Sequence, residues 1–302
     1  MRRAPNKVVP AIDARLLRGW PLPQPEHGDK ERRGRVLVIG GARQMPGAVI
    51  LAATAALRAG AGKLQIATVA SVSPHVATAM PESLVHAVAE TPAGGFARSA
   101  ASTLAAACKA VQSIVIGPGM LENAALAPLV LGTLEQLTEG QTVVLDAGAL
   151  TAMHDRHARL AGLRCAVIIT PHAGEMATLL GRDKEEIENQ RVEAVQEAIR
   201  ALRVVVVLKG TESLVGERHQ LFRNFAGNPG LAISGSGDTL SGLIAGLAAR
   251  GAEPLQAAVW GVHLHACAGD VLANKIGPLG YLPRELLAEI PALMARFGKT
   301  AP

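Results

Sequence analysis

Six short runs of mostly branched aliphatic residues, none alternating with polar ones, constrain the fold of this 302-residue chain. They occupy residues 36–39, 64–67, 113–116, 143–145, 167–170 and 204–208. A strand with one face in water alternates apolar and polar side chains. A run that is apolar throughout predicts a strand covered on both faces, as in a parallel sheet. Between the runs lie helix-length stretches rich in Ala and Leu, at 47–59, 96–107, 122–136, 150–160 and 184–202. Strand alternating with helix predicts an α/β fold, a doubly wound, mainly parallel sheet flanked by helices. After Leu208 the pattern changes. Residues 213–215 and 220–222 predict a short antiparallel excursion, and 238–250, 254–273 and 283–296 predict three helices. No internal repeat or low-complexity linker interrupts the chain. The expectation is a single domain over residues 30–302, preceded by a basic N-terminal arm, residues 1–29.

Composition narrows the classes further. A chain that is 49% hydrophobic is not disordered. Phe, Trp and Tyr number only 4, 2 and 1, so the core is built from Ala, Val, Leu and Ile. That suits close-packed helices and argues against a base-stacking nucleic-acid binder. The net charge of +5 suggests an anionic partner, but its distribution does not support a nucleic-acid face. Residues 1–35 hold nine bases, Arg2, Arg3 and Lys7 among them, and four acids, so the rest of the chain is balanced. The basic segment reads as a solvated arm or an oligomer contact. Cys108, Cys165 and Cys267 are far apart and odd in number, which fits a reducing cytoplasm rather than a disulfide framework. The N-terminus lacks a signal-peptide core, and no apolar run is long enough to span a membrane.

In doubly wound folds ligands bind where strands end, so the residues after each strand deserve inspection. The most informative segment is Asn228-Pro-Gly-Leu-Ala-Ile-Ser-Gly-Ser-Gly-Asp238, followed by Thr239-Leu-Ser-Gly242. A Gly/Ser-rich loop running into a helix offers free amides to phosphate oxygens. Asp238 in the first helical turn is favourable as a capping residue. It is also well placed as a general base beside an anion hole of Gly235, Ser236 and Gly237. No Walker-type phosphate loop occurs, and Gly117-Pro-Gly119 lacks the third glycine of a dinucleotide fingerprint. His263 and His265, two apart on an expected helix, read as core or interface residues, and Trp260 as packing.

Gly-Ser-Gly-Asp opening a late helix resembles the ribokinase-like superfamily. The fuller string from Asn228 to Gly242 resembles one branch of it, the ADP/ATP-dependent NAD(P)H-hydrate dehydratases. Gly34–Gly41 with Gly47-Ala48, Pro81-Glu82, Gly117-Pro-Gly119, Asp146-Ala-Gly148, Thr170-Pro-His-Ala-Gly-Glu175 and Lys209-Gly-Thr-Glu-Ser213 are similar to the family's other motifs, in order. The resemblance covers nearly the whole chain from Gly34. It implies a lyase that repairs hydrated NADH and NADPH: the ring hydroxyl of the S epimer is phosphorylated and phosphate then leaves. The donor would be ADP, or ATP in eukaryotic-type members, with Mg²⁺. The Ala/Arg/Gly-rich composition favours ADP, with release of AMP.

The resemblance also implies residue roles. Asp238 would be the base and a hydrate contact. Ala48, Gly119 and His172 would bind the hydrate. Lys209, Gly210, Thr211, Glu212, Ser213 and Gly237 would bind the nucleotide, Glu175 would hold Mg²⁺ through water, and Asp146 would help place metal or phosphate. Several have ordinary structural readings as well: Glu175 as a first-turn acid, Lys209-Gly210 and Asp146-Ala-Gly148 as turns. Two departures touch the loops: Gly28-Asp-Lys-Glu-Arg-Arg-Gly34 replaces the usual His-Lys-Gly, and Gly230–Ile233 is more apolar than usual. The resemblance further implies a cytoplasmic homotetramer and a separate NAD(P)H-hydrate epimerase activity. Two other readings keep the same site: a kinase of a hydroxymethyl-pyrimidine or thiazole alcohol, and a non-enzymatic nucleotide binder.

Overall fold

The apolar runs form the middle of a nine-stranded sheet in the computed structural model, which describes residues 9–24 and 30–298. Its strands are β1 (Arg35–Ile39), β2 (Lys63–Val69), β3 (Ser83–Val88), β4 (Ser113–Ile116), β5 (Thr142–Leu145), β6 (Ala166–Ile169), β7 (Val205–Leu208), β8 (Ser213–Glu217) and β9 (Gln220–Asn224). They lie in the order 3-2-1-4-5-6-7-8-9. The first seven are parallel, and β8 and β9 add an antiparallel hairpin at one edge. The order reverses between β1 and β4, which opens the crevice where doubly wound proteins bind ligands.

Alternate side chains of each strand enter two separate cores. Val36 and Val38 face one, Leu37 and Ile39 the other. The first core lies under α1 (Ala14–Gly19), α2 (Pro46–Arg58) and α3 (Ser73–Ala79). The second is covered by α4 (Ala101–Cys108), α5 (Leu126–Leu134), α6 (Gly148–Ala152), α7 (Ala173–Leu180), α8 (Lys184–Asn189) and α9 (Arg191–Leu202). The last three helices, α10 (Ser236–Ala249), α11 (Pro254–Lys275) and α12 (Pro283–Gly298), return to the first core. The scarcity of aromatics is realised where α10 crosses α2. A Cβ at Gly242 would stand 2.0 Å from the Ala52 carbonyl oxygen, so the two backbones touch with no room for a side chain.

The structure departs from the expected elements at several points. Strand β3 was not expected; it is an edge strand with mixed polarity, and Leu84 on it is 58% exposed, so it lacks the two-face signature. The expected helix at 184–202 is two helices broken at Gln190. The stretch at 150–160 is α6 followed by a 3₁₀ segment, His154–Gly162. Helices α3 and α7 are not among the helix-length stretches read from the sequence, although the reading of Glu175 as a first-turn acid implies a helix start at α7.

The N-terminal arm also needs correction. Residues 9–24 are part of the domain, not a solvated extension. Ile12, Leu17 and Leu22 are buried in the first core. Ile12 donates its N–H to Arg223 O at 2.8 Å, and Trp260 Nε1 donates to Trp20 O at 2.8 Å. Arg2, Arg3 and Lys7, and Gly28 and Asp29 of the stretch before β1, lie outside the described residues. Among the described residues no helix is long and apolar enough to cross a membrane.

Candidate active site

Five strands deliver their next residues to the carboxyl end of the sheet: Gly40 after β1, Gly117 after β4, Asp146 after β5, Thr170 after β6 and Lys209 after β7. Asp146 is 1% exposed, and a buried carboxylate needs partners. Its Oδ1 accepts from Thr170 Oγ1 at 2.8 Å and from Lys209 Nζ at 3.0 Å. Lys209 Nζ also lies 3.8 Å from Glu175 Oε2. The start of α10 meets the same group: a Cβ at Gly237 would lie 3.4 Å from Lys209 Nζ and 3.7 Å from Asp146 Oδ2. Three segments distant in sequence thus converge on the ammonium group of a fourth.

The electrostatics follow from that convergence. Burial works against the charge on Lys209, but the carboxylates of Asp146, Glu175 and Asp238 outweigh it and hold its pKa above the ordinary value. Asp238 moves the other way. Burial, reinforced by the charge on Asp146 and opposed by Lys209, pushes it up to about 6. A carboxylate raised in this way is a stronger base than a solvated one and remains largely ionised at neutral pH.

The first turn of α10 is prepared for an anion. Gly235 caps it in the left-handed conformation, φ +93°, which a side chain would strain. The Ser236 N–H donates to Ile233 O at 3.2 Å and the Thr239 N–H to Gly235 O at 3.1 Å. That leaves the amides of Gly237 and Asp238 as the first-turn donors without a carbonyl in the helix. The Ser236 hydroxyl is engaged by His265 Nε2 at 3.1 Å. The loop before α10 is tied to α11: Asp270 accepts from Gly227 N at 2.9 Å and from Asn228 Nδ2 at 3.0 Å.

Of the residues expected to bind the hydrate, Ala48 and Gly119 adjoin at the β1–β4 crevice. A Cβ on Gly119 would lie 2.9 Å from Ala48 Cβ, and Gly119 O accepts from Ala42 N at 2.8 Å. His172 caps α7, and Glu175 completes a capping box with it. His172 Nδ1 accepts from the Gly174 and Glu175 amides at 3.0 and 3.1 Å, and Glu175 Oε2 accepts from His172 N at 2.8 Å. With Nδ1 an acceptor, the ring proton sits on Nε2 of a side chain that is 60% exposed, so it can donate to a ligand. Glu175 combines both of its sequence readings, as first-turn acid and as a carboxylate near Lys209.

The segment Lys209–Ser213 leaves β7 with Thr211 exposed and Glu212 and Ser213 half-buried. A residue not singled out in the sequence shapes it. Arg191, the first residue of α9, donates through Nη2 to Leu208 O, Lys209 O and Glu212 O at 3.2, 3.1 and 3.0 Å. A Cβ at Gly210 would come within 2.6 Å of that guanidinium, which explains the glycine. Glu212 pairs with Arg223 at 3.1 Å. Arg191 and Asp270 carried no sequence signal, because each acts on a loop far away in the chain. Among the described residues no group of three or more His, Cys, Asp or Glu side chains is arranged to hold a metal ion by itself.

The sheet, its crevice and the glycine-rich start of α10 define a protein of the ribokinase-like class. A ribokinase-like superfamily protein of Enterococcus faecalis superposes with a TM-score of 0.83 at 26% identity, over 98% of this chain and 99% of that one. The family model for NAD(P)H-hydrate dehydratase matches residues 36–292, and the chain belongs to that family. An ADP-dependent (S)-NAD(P)H-hydrate dehydratase of Xanthomonas campestris is 49% identical over 290 residues, 95% of this chain and 97% of that protein. The ADP/ATP-dependent NAD(P)H-hydrate dehydratase of Bacillus subtilis, co-crystallised with ATP and Mg²⁺, superposes with a TM-score of 0.80 at 29% identity, over 96% of this chain and 99% of that one. Relatives described as bifunctional NAD(P)H-hydrate repair enzymes are matched over only about half their length.

Proposed function

We propose that this protein is an ADP-dependent lyase that dehydrates the S epimer of hydrated NADH and NADPH, releasing AMP and phosphate. One observation carries the chemistry: Asp238, raised to about 6, stands in the first turn of α10 beside Lys209 and Asp146. Hydroxide is a poor leaving group and phosphate a good one, so dehydration benefits from a kinase-like first step. The Asp238 carboxylate accepts the proton of the ring hydroxyl as the hydroxyl oxygen attacks the terminal phosphorus of ADP and the bridging P–O bond breaks, with AMP as the leaving group. The amides of Gly237 and Asp238 and the ammonium of Lys209 meet the charge that develops on the transferred group. The ring C–O bond then breaks, phosphate leaves, and loss of a ring proton restores the C=C bond.

In this reading Ala48, Gly119 and His172 hold the hydrate, and Lys209–Ser213 with Gly237 hold the nucleotide. Asp146 and Glu175 offer hard oxygen donors next to Lys209, which fits Mg²⁺ bound mainly through phosphate and water. Bound there, the ion would neutralise phosphate charge. A cytoplasmic homotetramer and a separate epimerase activity belong to the same reading.

The test is to incubate hydrated NADH with Mg²⁺ and either ADP or ATP. Recovery of NADH absorbance with ADP, together with AMP and free phosphate, is the expected result. A stable phosphate ester would instead identify a kinase, and no turnover with either nucleotide would refute the proposal.

A further inference from the structure

His265 lies on α11, 29 residues from the loop that holds the reacting groups, and both it and Ser236 are nearly fully buried, at 8% and 6% exposure. Its Nε2 is 3.1 Å from the Ser236 hydroxyl, so that hydroxyl is not presented to a ligand. Burial, with help from the nearby Lys209 charge and against a hydrogen bond to the Ser236 backbone, pushes the imidazole down to about 4. It is therefore neutral under ordinary conditions, with one donor and one acceptor nitrogen.

The need for such a contact is visible in the chain. Ser236 stands between Gly235 and Gly237, and glycine backbones lose the most freedom on ordering. The Ser236 N–H already bonds Ile233 O, and His265 fixes its side chain. With Ser236 held at both ends, the next two residues have little freedom left. Those residues are Gly237 and Asp238, whose amides and carboxylate do the chemistry in the reading above. A charged tie at this position would add a cation beside Lys209, whereas a neutral imidazole holds the loop without altering the field.

We propose that His265 is a positioning residue: through the Ser236 hydroxyl it holds the first turn of α10, so that the Gly237 and Asp238 amides and the Asp238 carboxylate stand where the transferring phosphoryl group needs them. The inference rests on the proposed dehydratase reaction for its kinetic consequence, not for its structural one. Misplacing preorganised groups by about 1 Å costs on the order of 100-fold in rate, mostly in the chemical step.

The variants are His265→Ala, His265→Gln, Ser236→Ala and the His265→Ala/Ser236→Ala pair. His265→Ala and Ser236→Ala should each lower kcat about 10–100-fold, with KM for ADP and for the hydrate within about threefold of wild type. The double variant should be no worse than the weaker single one, because both substitutions remove one contact. Gln, whose amide nitrogen reaches about as far as Nε2, should restore most of kcat. Full kcat in His265→Ala, independent multiplication of the two losses, or a loss expressed only in KM would overturn the proposal. Wild-type turnover separately tests the reaction itself. A second readout needs no activity: in the nucleotide-free protein, His265→Ala and Ser236→Ala should shift the amide NMR resonances of Gly237 and Asp238, and His265→Gln should not. Unmoved resonances in the two Ala variants would refute the role of His265 even if the protein acts on another substrate.

Discussion

Replacing Asp238 by Asn should abolish turnover and at the same time make the protein more stable at neutral pH. The folded protein keeps a proton on Asp238 up to about pH 6, whereas an ordinary aspartate loses it near 3.8. Between those values the folded state binds more protons than the unfolded chain, so stability falls as pH rises through the window. At pH 7 the ionised carboxylate therefore opposes folding, by about two pKa units or roughly 3 kcal/mol. Asn keeps the shape and removes the charge. We expect a gain of roughly 1–3 kcal/mol at pH 7 that shrinks to roughly 0.5 kcal/mol at pH 4, where the folded state holds the proton and the unfolded chain, with its value near 3.8, is close to its midpoint. Urea unfolding followed by tryptophan fluorescence at the two pH values measures it. The same group should set the acid limb of wild-type kcat/KM, with a midpoint near 6 and about a tenfold fall per unit below it. A variant no more stable than wild type at pH 7, or one whose advantage persists unchanged at pH 4, would show that Asp238 is not strained by its surroundings. An acid limb near 4 would do the same.

Two further outcomes follow from the geometry. Arg191→Lys removes the planar group that binds three carbonyls of the nucleotide segment, so KM for ADP should rise about tenfold while KM for the hydrate stays within about twofold; equal changes in both would count against a nucleotide role for that loop. Gly242→Ala gains about 1 kcal/mol of helix propensity but forces a Cβ to within 2.0 Å of Ala52 O, so a net loss of about 1–3 kcal/mol in urea unfolding is expected, and a stabilised variant would refute the tight α2–α10 crossing.

Local order was legible in the chain wherever one segment carried its own signal. The six apolar runs gave β1, β2, β4, β5, β6 and β7, because strands buried on both faces leave little room for polar residues on either side. Strand β3 escaped because an exposed edge tolerates polar residues, and residues 9–24 because a few buried side chains among prolines and arginines have no period. The glycine-rich loop before α10 also announced itself, since an anion-binding helix start is written in consecutive residues.

Tertiary structure alone decided how those pieces act on one another. Nothing near position 209 in the sequence says that its ammonium meets carboxylates at 146 and 175 or stands beside residue 237. His265 reads from the chain as a buried helix residue, which it is, yet the fold sets it against the Ser236 hydroxyl. Pattern in a sequence reports what each residue requires of its surroundings, burial or water, helix or turn. Which distant residue supplies those surroundings is fixed only when the sheet brings five strand ends and the start of α10 together at its carboxyl end, and the raised pKa values of Lys209 and Asp238 exist only there.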